Sequence, residues 1–202
     1  MTNRRAGGYA LIGIAVVTIV IFLIHPSRVD HALVMGLWGV NSITHALALA
    51  YVPAMALGFV ALAEWLGLDR PVVRLALAFN LLAVVLMTLA PLVSGFIVPS
   101  AFAAGDAAGQ LAVLFNRAFD RGYVGFTAAA MLLNAFAFPR GHILLKILTF
   151  PAALGPLAWL ASGQFNPDVH AMLVLAIVQG GWFVSAGWAL LADDRLAQAR
   201  LA

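Results

Sequence analysis

The chain has 202 residues, of which 64% are hydrophobic and only 9% are charged, and it contains no cysteine. An ordinary soluble domain carries roughly 25% charged residues, and a soluble fold of this size cannot hide so much apolar surface. The composition therefore excludes a cytosolic enzyme, a disordered chain, disulfides and thiolate metal sites. The net charge of +3 comes without a basic run, which excludes a nucleic-acid binder.

Six apolar stretches are long enough to cross the hydrocarbon core of a bilayer, which takes about 20 helical residues. They cover residues 7–24, 45–64, 72–96, 117–138, 142–161 and 169–192. This pattern predicts an all-α polytopic membrane protein in which one six-helix transmembrane bundle takes up the whole chain, 1–202. Prolines inside these spans predict kinks. They are Pro53, Pro91, Pro151 and Pro156.

The distribution of lysine and arginine predicts the orientation of the spans. With the N-terminus in the cytoplasm, eight of these residues lie inside, and three, Arg28, Arg117 and Arg121, lie outside. The eight are Arg4, Arg5, Arg70, Arg74, Arg140, Lys146, Arg195 and Arg200. We therefore expect a bacterial inner-membrane protein with both termini in the cytoplasm. The first span lacks a cleavage site for a signal peptide before Asp30, so we expect it to remain uncleaved and all six spans to contact membrane lipids.

Two segments on the outer side are predicted to be more than simple loops. Residues 30–42 are apolar and are expected to form a short helix at the outer interface. Asp106 is expected to cap a helix that continues to Phe138. At 1.5 Å per residue such a helix is about 48 Å long, so its first turns are expected to project beyond the bilayer or to bend at Gly122.

Histidines collect at the outer boundary that this topology defines. His25 closes the first span, while His45 and His170 open the second and sixth spans. Imidazole is the commonest protein metal ligand and an axial ligand of haem. We therefore consider a site in which His25, His45, His170 and Asp168 bind zinc, another transition-metal ion or haem. The spacing matches no compact metal motif, and these residues are equally typical of helix caps and interface anchors, with Asp168 as an N-cap.

Five polar residues of the fourth span lie on one side of a helix. At about 100° per residue they fall within an arc of about 60°. They are Asn116, Asp120, Tyr123, Thr127 and Asn134. Polar groups that face lipid cost several kcal/mol, so we expect this polar stripe to face the bundle interior. The stripe either bonds neighbouring helices together or lines an outward-opening cavity. In the second case Asp120 and Tyr123 are candidate catalytic residues, and Asn116 is a candidate for binding a cofactor.

Several stretches of the chain resemble small bacterial six-span membrane proteins with no assigned function. They are His25–Pro26, the start of the second span at His45, Ser94–Pro99, Asn116–Tyr123, Asp168–His170 and Gln179–Trp182. The resemblance implies a six-helix inner-membrane protein and does not imply any particular chemistry.

Three kinds of function are compatible with these features. The first is a metal- or haem-binding protein, in which Asp168 or Asp120 is a further ligand, an orienting group or a general base. With zinc it would be a hydrolase for lipid-like substrates, and with haem an electron-transfer module. The second is a non-enzymatic subunit or assembly factor of a larger membrane complex. The third is a small transporter or lipid-binding protein, although no inverted repeat supports transport.

Overall fold

The structure is a computed structural model that describes residues 2–25 and 38–199, without the side chains of Trp38 and of residues 195–199. The described chain is almost entirely helical. Its α-helices are α1 (Asn3–Ile24), α2 (Trp38–Leu66), α3 (Pro71–Leu92), α4 (Val98–Ala104), α5 (Asp106–Ala135), α6 (Ile143–Thr149), α7 (Gly155–Ala161) and α8 (Val169–Ala199). Two π-helical turns each join a pair of these helices into one continuous segment. Val93–Ile97 joins α3 to α4, and Phe150–Leu154 joins α6 to α7.

Five helical stretches of the described chain are long and apolar enough to cross a membrane. They are Asn3–Ile24, Gly39–Leu66, Pro71–Ala104, Ile143–Ala161 and Val169–Asp194. The all-α, membrane-type fold predicted from composition is therefore confirmed. Helix α5 is not among the five, although it is 30 residues long. It carries four charged residues, so apolar length by itself does not establish a sixth span.

The helix boundaries differ from the predicted spans at several points. Helix α2 begins at Trp38 rather than at residue 45, and the third apolar segment runs on to Ala104 rather than ending at 96. The predicted interfacial helix over 30–42 lies partly outside the described residues, and its end belongs to α2. Helix α5 ends at Ala135 rather than at Phe138, and the Asn134 carbonyl accepts the N–H groups of Ala137 and Phe138 in the turn that follows.

Three of the four predicted proline kinks lie at a change of helix type. Pro91 lies just before the π-helical turn Val93–Ile97, Pro151 lies within the turn Phe150–Leu154, and Pro156 lies just after that turn. A π-helical turn leaves carbonyls that side chains from neighbouring helices can reach. Pro53, in contrast, lies inside the unbroken helix α2.

The helices pack side by side into a closed ring. Helix α1 packs against α2 and α8, and α3 packs against α2 and α5. The segment α6–α7 lies between α5 and α8 and closes the ring. A hydrogen bond supports this closure, because the buried Trp182 donates Nε1–H to Thr149 Oγ1 at 2.8 Å.

One end of the ring brings together the first and last described turns of the bundle. Thr2 Oγ1 donates to Asp194 Oδ1 at 2.7 Å, and Trp65 Nε1 donates to Asp193 Oδ2 at 2.9 Å. Arg70 donates to the Ala137 carbonyl at 2.7 Å. We call this the terminal end. Since Thr2 and Asp194 share it, the chain runs along the bundle an even number of times between them, and α5 is one of those passes.

Candidate functional site

A cavity of about 230 Å³ lies within the ring at the opposite end, which we call the cavity end. Residues from α1, α2, α3, α5 and the start of α8 all line it. Six of the seven residues singled out in the sequence as site candidates are among them. They are His25, His45, Asn116, Asp120, Tyr123 and Asp168. Ionisable groups are rare inside membrane bundles and mark functional sites, so this cavity is the candidate functional site.

His170 is the candidate that does not line the cavity. The Asp168 carboxylate accepts the Ala171 N–H at 2.8 Å and so caps α8, as its sequence context predicts. Helix α8 therefore begins at Val169, and His170 lies within its first turn. Because each helical residue turns by about 100°, His170 lies about 200° around the axis from the capping position. Its side chain is exposed.

The two other candidate histidines lie in direct contact. His25 Nε2 is 3.3 Å from His45 Nε2, and the ring centroids are 4.9 Å apart in an edge-to-face arrangement. His25 follows the last turn of α1, while His45 lies in the second turn of α2 and is buried. Residues 26–37, which connect them, lie outside the description. We call these two residues the histidine pair.

The tautomer of His45 is set by the backbone of its own helix. His45 Nδ1 lies 2.6 Å from the Asn41 carbonyl oxygen. A carbonyl can only accept a hydrogen bond, so Nδ1 carries the proton. In the neutral ring Nε2 then presents a lone pair, which points towards His25.

The π-helical turn Val93–Ile97 packs against this part of α2. Asn41 Nδ2 donates to the Ser94 carbonyl at 3.3 Å. The next residue, Gly95, is buried, and a Cβ atom built on it would lie 2.4 Å from the Cβ of His45. No side chain larger than hydrogen fits there without a shift. Ser94 and Gly95 belong to a stretch that the sequence analysis had singled out, but its role in holding His45 depends on the contact between two helices.

The polar stripe of α5 faces the interior of the bundle, as its helical periodicity predicts. Tyr123, Thr127 and Asn134 are buried. At the cavity, Asn116 Nδ2 donates to Asp120 Oδ2 at 3.0 Å. The other amide atom, Asn116 Oδ1, is buried and has no hydrogen-bond partner among the described residues. An acceptor without a partner is costly in a buried setting, so it is available to a ligand.

Arginine side chains of α5 have two different roles at this end. Arg121 donates twice to the Phe165 carbonyl, at 3.0 and 3.3 Å, and so ties α5 to the loop before α8. Arg117 is exposed and lines the cavity, and it is the cationic residue there among those described. Sequence reasoning had counted both residues only as charges on the outer side.

The cavity narrows towards the middle of the bundle. Two small apolar crevices adjoin it towards the middle, one of about 20 Å³ between α1, α5 and α8 and one of about 10 Å³ between α1, α2 and α3. Each has room for about one water-sized group. Beyond them lies a packed core that includes Phe59, Met131 and Trp182. Among the described residues, the cavity therefore narrows towards a packed core.

The four predicted metal ligands do not form one group. In the described part of the chain, no three His, Asp or Glu side chains lie close enough together to hold a metal ion. The histidine pair is brought together, while His170 is turned away. Bis-histidine haem is also a poor fit. Its iron and macrocycle must stand between the two rings, and nitrogens 3.3 Å apart in edge-to-face rings leave no room for them.

Fold and cavity together define a membrane-type α-helical bundle with a pocket at one end whose lining combines polar and apolar side chains. Comparison of the chain with models of protein families, with curated proteins and with solved structures gives no match.

Proposed function

We propose that this protein is a six-span integral protein of the bacterial inner membrane that binds a small amphipathic molecule in a cavity open to the periplasm. The observation that carries the proposal is the convergence of polar side chains from separate helices on one pocket in an apolar bundle. A charged side chain in a membrane helix costs about 2.5–3.5 kcal/mol even on the most lenient scale. A ligand-binding role accounts for keeping such groups there.

Helix α5 supplies the sixth span in this proposal. Its charged residues Arg117, Asp120 and Arg121 lie in the half near the cavity end, and from Gly122 to Ala135 it carries no charge. Its length of about 45 Å exceeds the hydrocarbon core, so its first turns extend beyond the bilayer. The even number of passes between Thr2 and Asp194 supports this assignment.

The cationic residues favour a terminal end in the cytoplasm. Six lysine and arginine residues whose side chains are described lie at that end, against two at the cavity end. The six are Arg4, Arg5, Arg70, Arg74, Arg140 and Lys146. Because cytoplasmic loops carry the excess of Lys and Arg, the cavity faces the periplasm and both termini face the cytoplasm.

The lining of the cavity matches a ligand with one polar and one apolar part. Asn116 and Asp120 offer hydrogen-bond acceptors, while Phe22, Met87 and Met172 offer apolar contacts. At about 230 Å³ the cavity is smaller than the roughly 300–1,000 Å³ of pockets for drug-sized ligands. It suits a short molecule or the polar end of a lipid. Its narrowing towards a packed core favours binding over transport.

The absence of cysteine allows a direct test with single thiols. Ser94 lines the cavity, so in spheroplasts a membrane-impermeant maleimide added outside should label the S94C variant. In purified protein 1-hexanol, which carries one hydroxyl donor and a short apolar chain, should slow this labelling.

Two serines provide matched controls. Ser162 is exposed in the loop before α8, and Ser185 lies in the middle of α8. S162C should be labelled at a rate that hexanol does not change, and S185C should remain unlabelled in the membrane. The proposal is wrong if S94C is as unreactive as S185C, or if hexanol slows S94C and S162C equally.

A further inference from the structure

We propose that His25 and His45 supply two ligands to a divalent transition-metal ion of the zinc class, bound in the cavity. The inference rests on the proposed function, because the ion enters through the same outward-facing opening. It differs from the four-ligand site considered from sequence, since the structure leaves His170 outside.

The separation of the two nitrogens carries the inference. Two imidazole nitrogens bound to one tetrahedral zinc ion at about 2.0–2.1 Å lie roughly 3.4 Å apart. The two Nε2 atoms of the histidine pair are 3.3 Å apart. The two nitrogens therefore already have the separation that shared coordination of one ion requires, with the ion to one side of the line that joins them.

The hydrogen bond of His45 is of the kind that prepares an imidazole for a metal. Ligating histidines donate their other ring N–H to a carbonyl or carboxylate, which sets the tautomer and the ring orientation. Asn41 provides such a carbonyl at 2.6 Å, and Gly95 and the π-helical turn hold the ring against it. His45 Nε2 therefore presents its lone pair in a fixed direction.

The surrounding charges also favour a cation. Asp120 and Asp168 line the same cavity as the histidine pair and are opposed there by Arg117. With two protein ligands, the remaining coordination positions belong to water or to a donor atom of the cavity ligand. Sites that leave positions open in this way are typical of metals that contact a ligand rather than of structural zinc. Imidazole ligands suit zinc, copper, nickel and cobalt alike.

Cobalt(II) provides a visible spectroscopic probe for the site. Detergent-purified protein, prepared with an affinity tag that contains no histidine, is titrated with Co²⁺ and its visible absorption is recorded. We expect one saturable equivalent of Co²⁺, displaced by Zn²⁺. Loss of a group that only orients a ligand already costs about 10–100-fold in metal affinity. Removal of a ligand itself in His25→Ala or His45→Ala should therefore weaken binding by at least about tenfold. His170→Ala and His142→Ala should bind as the parent does.

Two further measurements keep the test decisive. His45→Gln retains a polar side chain in case His45→Ala fails to fold, and it should also lose Co²⁺. The S94C labelling assay reports on the cavity itself. If hexanol protects S94C but no saturable Co²⁺ binding occurs, the metal inference is wrong while the proposed function stands. If Co²⁺ binding survives His25→Ala but is lost in His170→Ala, the assignment to the pair is also overturned.

Discussion

Gly95 decides where the imidazole of His45 can lie. The buried glycine faces the Cβ and Cγ atoms of His45 across the interface between α2 and the π-helical turn. A Cβ there would lie 2.4 Å from one of these atoms and 2.8 Å from the other. These atoms are close to the backbone of α2, so they cannot turn aside as the end of a long side chain can. Because residue 95 has no side chain, His45 can occupy the position in which it contacts His25.

Gly95→Ala should therefore disturb the pair without touching a ligand atom. Overpacking of a tight interior costs typically 1–3 kcal/mol, and we expect a loss of stability of about this size on denaturant unfolding in detergent. The displaced ring should also weaken Co²⁺ binding by about tenfold.

Gly155→Ala is the matched control for this change. Gly155 lies directly after the second π-helical turn, and nothing lies within 4 Å of a Cβ built on it. The change in stability should stay within about 0.5 kcal/mol, with unchanged Co²⁺ affinity. Equal effects of the two substitutions would contradict the role assigned to Gly95.

Among the helices, α1 and α8 approach one another backbone to backbone. A Cβ on Gly187 would lie 2.5 Å from the Gly8 carbonyl oxygen, and one on Gly8 would lie 2.8 Å from the Gly187 carbonyl oxygen. In lipid, small residues at such contacts allow the van der Waals packing that drives helix association. The contact lies near the terminal end, and the same two helices frame the cavity at their other ends. The distance between α1 and α8 therefore affects both the packing at the terminal end and the width of the cavity.

Gly187→Ala should force α1 and α8 apart, because neither carbonyl can move away on its own. We expect a loss of stability of about 1–3 kcal/mol, measured by unfolding in mixed micelles. Gly181→Ala lies on the same helix with nothing within 4 Å of its Cβ. It should cost nothing and, through better helix propensity, gain up to about 1 kcal/mol. A Gly187→Ala variant as stable as Gly181→Ala would mean that the close approach does not matter.

For the whole molecule, the closed ring places Thr2 and Asp194 at one end. Their hydrogen bond of 2.7 Å holds the first turn of α1 and the last part of α8 at the same end of the bundle. The five apolar stretches would by themselves put the termini on opposite sides. The contact between Thr2 and Asp194 and the five apolar stretches are both accounted for if α5, which packs between α3 and α6–α7, also crosses the membrane.

Topology reporters distinguish these two arrangements. A reporter fused after Ala202 should behave as cytoplasmic, and one inserted at Ser162 should behave as periplasmic. This follows from the bias of Lys and Arg towards the terminal end and from the even number of passes. With the N-terminus in the cytoplasm, five crossings without α5 would place Ser162 in the cytoplasm and Ala202 in the periplasm. This reversed pair of signals would overturn the assignment of α5 as the sixth span.

Local patterns in the sequence determined the features that depend on one segment at a time. Apolar length specified the membrane-type helices because the bilayer imposes one length on all of them. The periodicity of α5 placed Tyr123, Thr127 and Asn134 inside, since the cost of lipid exposure acts on each helix separately. Asp168 was recognisable as a cap because capping involves only the next three residues.

Tertiary structure decided everything that depends on how helix faces meet. The sequence placed three histidines at one depth in the membrane, but depth carries no information about how each helix is rotated around its own axis. The packing of α1 against α2 brings His25 and His45 together, whereas the rotation of α8 turns His170 outwards. The support of His45 by Gly95 exists only because a π-helical turn of one helix packs on the second turn of another. The place of Asp120 was decided in the same way, because it lines a cavity within a ring whose closure no single segment encodes.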